Sequence, residues 1–116
     1  MNVLRISLAA VSISLLLASC NNSGTTTNTE TQAILPKSDT IIISEMKYTP
    51  DNITINKGDT LVFINNDIVS HDVTEENKAW TSSELKVGDA WKTVPEKSAN
   101  YYCSIHVVMK GAFTVK

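Results

Sequence analysis

The sequence predicts an all-β domain, a Greek-key β-sandwich of seven to eight short strands. Three observations predict it. Short runs rich in β-branched residues recur along residues 38–116, clusters of turn-forming residues separate them, and no stretch holds an amphipathic helical pattern for three turns.

The elements follow in order. Residues 40–46 are β-branched and end before the turn Tyr48-Thr49-Pro50-Asp51. Residues 52–56 alternate, with Ile53 and Ile55 on one face, and Lys57-Gly58-Asp59 turns the chain into the apolar run 60–64. Further strands are expected over 71–74, 90–94, 99–103 and 111–115. The turns between them fall at Asn65-Asn66-Asp67, Val87-Gly88-Asp89 and Pro95-Glu96-Lys97. Residues 75–85 are irregular, with room for one helical turn. Period-two geometry puts Tyr101 on the face of Cys103 and Tyr102 opposite, so one of them is expected in the core without a redox role. Trp80, Trp91 and Met46 read as packing residues.

The region before the sandwich has a different character. Arg5 precedes a mostly apolar run over residues 6–17, too short for a stable membrane span and of the length of a signal-peptide core. The run closes on Leu17-Ala18-Ser19-Cys20, which resembles the lipobox of bacterial lipoproteins. That resemblance implies a signal peptide over 1–19, removed on export, and a lipid on Cys20. Residues 20–37 are rich in Asn and Thr and bury little, so they read as a flexible tether ahead of the domain at 38–116.

Composition narrows the function. The chain has 116 residues, 10 Lys+Arg against 12 Asp+Glu, and a net charge of −2, which leaves no basic footprint for nucleic acid. It has no Gly-rich phosphate loop, and no C-x-x-C pair for thioredoxin-like chemistry or attached haem. Two histidines exclude any site that needs three or four imidazoles.

One constellation carries chemistry. With Cys20 lipidated, Cys103 is the only cysteine of an exported domain, and an unpaired thiol there calls for an occupant. In Cys103-Ser104-Ile105-His106-Val107-Val108-Met109 the donor residues recur every third position, so one tight loop can aim all three at a point. Thiolate and imidazole are good copper donors, and a thioether is a weak, soft one. His71, in Ser70-His71-Asp72, is the only other imidazole, and it would complete a trigonal His₂Cys plane with a distant axial Met. The Ser70-His71-Asp72 run is not a catalytic triad, because neighbours on an extended chain point to opposite sides. Zinc in the same ligands, or a β-sandwich interaction module with no metal, stays open at this level.

From Tyr48 to Lys116 the sequence resembles the cupredoxins, specifically the plastocyanin, pseudoazurin and amicyanin group. The resemblance rests on YTPDNITINKGDTLVFINND, SHDVT, ELKVGDAWKTV and YYCSIHVVMKGAFTV, and the short His-to-Met interval is that of amicyanin. It implies one type 1 copper ion held by His71, Cys103 and His106, with Met109 axial. It also implies a single-electron carrier and no enzyme, since both histidines are already used and no second copper centre can form. His106 would be the electron port, with Ile105, Val107 and Val108, joined by Ile68 and Val69, as an apolar docking patch. The expected partners are redox proteins of the bacterial cell envelope, met transiently by a monomer whose domain lies in the periplasm or at the cell surface. A copper carrier or storage lipoprotein would use the same ligands.

Two departures from the family pattern are expected to matter. The family places Asn after the first His, and here it is Asp72, whose ionised carboxylate can only accept hydrogen bonds, from the Ser104 hydroxyl or amide. Its charge would favour the oxidised metal. The family also tends to place Pro between Cys and His and just after the His, where this chain has Ile105 and Val107.

Overall fold

The structure, a computed structural model, describes residues 35–116. Eight strands run in the order β1 Ser38–Ser44, β2 Lys47–Thr49, β3 Asn52–Ile55, β4 Thr60–Asn65, β5 Thr74–Glu75, β6 Ala90–Thr93, β7 Ala99–Tyr102 and β8 Lys110–Val115. They form two four-stranded sheets, β2-β1-β4-β6 and β3-β8-β7-β5. The β1–β4 and β3–β8 pairs are parallel and the others antiparallel. Only the β1–β2 and β7–β8 connections stay within one sheet, so the rest of the chain winds between the two layers as a sandwich.

Alternation builds the core. Ile41 and Ile43 of β1 and Leu61 and Phe63 of β4 point inward and are fully buried, and Ile55, Tyr101 and Phe113 meet them from the other sheet. Each such side chain contributes about 1.5–3 kcal/mol when buried. Six rings, Tyr48, Phe63, Trp80, Trp91, Tyr101 and Phe113, form a connected cluster, with Tyr48 and Tyr101 edge to face at 4.9 Å. Tyr101 takes the core position and Tyr102 is half-buried.

The Tyr101 ring lies across Gly111, its cross-strand partner, so closely that a Cβ at 111 would overlap the ring. The ring packs edge to face against Tyr48 and Phe63, so shifting it disturbs the aromatic cluster. Gly111→Ala is therefore expected to destabilise the domain by about 1–3 kcal/mol through overpacking, read as a lowered thermal midpoint of the copper-free protein.

The parallel β1–β4 pair gives the sandwich two distinct poles. At one pole Asp59 is fully buried and accepts the Lys37 and Asn56 amides at 2.9 and 2.8 Å, so backbone N–H groups hold its carboxyl below the usual range. At the other pole β1 and β4 end, β7 ends and β8 begins, and there the residues singled out for chemistry collect.

Several local expectations need correction. The strand expected over 40–46 stops at Ser44, because Glu45 and Met46 take left-handed backbone angles and return the chain as β2. The turn is held by the Asp67 carboxylate, which accepts the Met46 N–H at 2.9 Å, and Met46 itself is 39% exposed and not a packing residue. The strand expected over 71–74 is reduced to β5 and two isolated bridges, His71 to Leu85 and Thr74 to Thr81. Residues 75–85 hold no helical turn. The Glu75 carboxylate accepts the Asn77 and Ala79 amides instead and organises the segment as a loop.

Candidate metal centre

Two loops supply the site. The β7–β8 connection carries Cys103, Ser104, Ile105, His106, Val107, Val108 and Met109, and closes on itself through Met109 N–H to His106 O at 2.9 Å and Cys103 N–H to Met109 O at 3.1 Å. These short bonds let residues three apart turn inward together. The β4–β5 connection carries His71, pinned by paired backbone hydrogen bonds to Leu85 at 3.0 and 2.7 Å.

The donor atoms converge. Cys103 Sγ lies 3.8 Å from the Nδ1 atoms of both His71 and His106, and those two nitrogens are 3.2 Å apart. The point equidistant from the three atoms is about 2.1 Å from each, close to the roughly 2.0–2.3 Å of transition-metal bonds to imidazole and thiolate. No rearrangement is needed to seat an ion in this donor set. His71 and Cys103 are fully buried, Met109 is 2% exposed, and His106 is partly exposed.

Around the donors lies a set of polar groups. The Asp72 backbone N–H points at Cys103 Sγ at 3.4 Å. The Asp72 carboxylate accepts the Ser104 amide at 2.7 Å, the Ser104 hydroxyl in a short bond, and the Thr74 hydroxyl at 3.3 Å. One carboxylate thus ties the loop of His71 to the loop of Cys103. The Tyr48 hydroxyl donates to the Asp72 carbonyl at 2.5 Å, and burial, followed by the nearby Cys103 and Asp72, pushes its pKa far above the ordinary phenol range.

Asp67 was not singled out by sequence reasoning. Its carboxylate meets His71 Nε2 at 3.1 Å, and the amides of Met46 and Ile68 hold its pKa below the usual carboxylate range. The only sequence signal was an acidic residue four positions ahead of a histidine in an Asn-Asn-Asp turn. Ile68, Val69, Ile105, Val107 and Val108 are all exposed, with Ile68 at 90% and Val108 at 81%. Cys20 and the residues read as signal peptide and most of the tether lie outside the described residues.

Comparison with known proteins agrees with this geometry. Residues 37–116 match the family described as copper binding proteins, plastocyanin/azurin family. Among solved structures the chain is similar to a purple cupredoxin from Nitrosopumilus maritimus, at 30% identity over 66% of this chain and 98% of that one, with a TM-score of 0.61. It is also similar to a reduced tyrosine-for-tryptophan variant of amicyanin, at 26% identity over 68% of this chain and 82% of that one, with a TM-score of 0.63. A copper-containing nitrite reductase from Thermus scotoductus matches at 25% identity and a TM-score of 0.63, over 71% of this chain but 22% of that one. No curated protein matches the chain in sequence.

Proposed function

We propose, from the premise that this chain belongs to the plastocyanin/azurin family of copper binding proteins, that it carries single electrons between redox proteins. His71, Cys103 and His106, with Met109, form its type 1 copper site. Bound there, copper supplies a one-electron couple. The observation that carries the proposal is the convergence of three donor atoms already at ligand spacing, two of them on fully buried residues.

The chain's own residues account for the rest. Burial of His71, Cys103 and Met109 excludes water, and the two loops are cross-tied by Asp72, so the donors change position little between oxidation states. That favours electron transfer over bond-making chemistry. With both histidines engaged, no imidazole remains for a second metal centre, which supports a carrier without a substrate of its own. His106, partly exposed in the β7–β8 loop, is the port, and Ile105, Val107 and Val108 beside it form the face on which partners dock transiently. The run ending in Cys20 supports export and a lipid anchor in a bacterial envelope, with the monomeric domain on a tether.

Electron self-exchange tests the port. Val108→Asp puts a like charge on both copies at an exposed position of the ligand loop. It is expected to leave the visible spectrum of the copper protein unchanged and to slow self-exchange roughly tenfold at low ionic strength, with partial recovery in salt. An unchanged rate would place the port elsewhere.

A further inference from the structure

The two histidines of the site are held differently. His71 Nε2 faces the Asp67 carboxylate at 3.1 Å, while among the described residues no hydrogen bond to His106 Nε2 is seen. Asp67 is itself held from several sides. Its Oδ2 accepts the Met46 amide at 2.9 Å as well as the His71 contact, and its Oδ1 accepts the Ile68 amide at 2.7 Å. Its own amide donates to Asn65 Oδ1 at 3.0 Å, and the fully buried Asn65 donates onward to Val69 O and Leu85 O at 2.8 and 2.9 Å. Leu85 in turn brackets His71. Every group facing the Asp67 carboxylate can act as a donor, so only an acceptor with two oxygens satisfies all of them.

We propose that Asp67 is the positioning residue of His71: it fixes the tautomer and ring plane of this ligand and ties the ring to the exposed β1–β2 turn at Met46. With the proton held on Nε2 by the carboxylate, the Nδ1 lone pair is left facing Cys103 Sγ and His106 Nδ1, before any metal arrives. A carboxylate behind a ligating imidazole also makes it a stronger donor, which favours the higher oxidation state. Met46 and Ile68 are exposed, so the backbone at two surface residues and a buried ligand share one anchor.

The potential part of the proposal rests on the copper site, and the tautomer part does not, so the two can fail separately. In the copper-free chain, long-range proton–nitrogen NMR is expected to show His71 as the Nε2–H tautomer, and Asp67→Ala is expected to give a mixture. In the copper-loaded chain, Asp67→Ala is expected to keep the visible band and raise the potential, and Asp67→Glu to return both readouts toward the parent. Asp67→Asn, which keeps an acceptor and loses the charge, covers the case in which the alanine variant does not fold. It is expected to raise the potential and to shift the His71 Nε2–H resonance. A folded variant with the parent tautomer, resonance and potential would overturn the proposal.

Discussion

Replacing Cys103 with serine will abolish the intense visible absorption of the copper-loaded protein while leaving the copper-free domain folded. The reason is electronic. A thiolate at ligand distance transfers charge to cupric ion at visible energies, and a hydroxyl of nearly the same size does not. Cys103 is fully buried and its Sγ takes the Asp72 N–H, a bond a serine oxygen can also accept, so the β7–β8 loop keeps its shape. The apo domain is expected to change by only about 1 kcal/mol in chemical unfolding. Copper affinity is expected to fall by more than the roughly 10–100-fold that a lost outer partner costs. Persistence of the band in the serine variant would remove Cys103 from the ligand set.

The second large effect is on potential. Asp72→Asn removes a negative charge whose carboxylate sits in the hydrogen-bond network joining both ligand loops. Anionic charge near the site favours the cupric state, so its removal is expected to raise the midpoint potential, by about 40–90 mV for a charge worth about 1–2 kcal/mol. The amide can still accept the Ser104 N–H, so the loops stay joined and the visible spectrum changes little. Asp72→Ala behaves differently, because it strands the Ser104 amide and is expected to cost about 1–3 kcal/mol of stability. A potential that falls or does not move in the asparagine variant would contradict this assignment of the charge.

Why the ligands are readable in the sequence and their supports are not follows from separation along the chain. Cys103, His106 and Met109 occupy a single loop whose closing hydrogen bonds span six residues or fewer, so their spacing alone implies convergence. The alternation of Ile53 with Ile55 and the apolar run over 60–64 are equally local, which makes a β-sandwich legible. His71 stands out because it is the only other imidazole. The link from Asp67 to Met46 joins residues 21 apart, and nothing in either segment announces it. The β1–β2 turn was hidden for the same reason: its left-handed backbone at Glu45 and Met46 is held from outside by Asp67, with no Gly or Asn to mark it. Tyr101 over Gly111 belongs to this class too, since it depends on cross-strand register that the sequence pattern leaves free.

The measurement that tests electron carriage most directly is voltammetry of copper-loaded residues 21–116, repeated over many cycles with a cuprous chelator in solution. Lys37 must be kept in that fragment because its amide satisfies Asp59. A carrier built as described gives a reversible one-electron wave of constant amplitude, with copper retained by the buried His71 and Cys103. An irreversible wave that decays as the chelator takes up copper would contradict electron carriage and make the protein a vehicle for the metal.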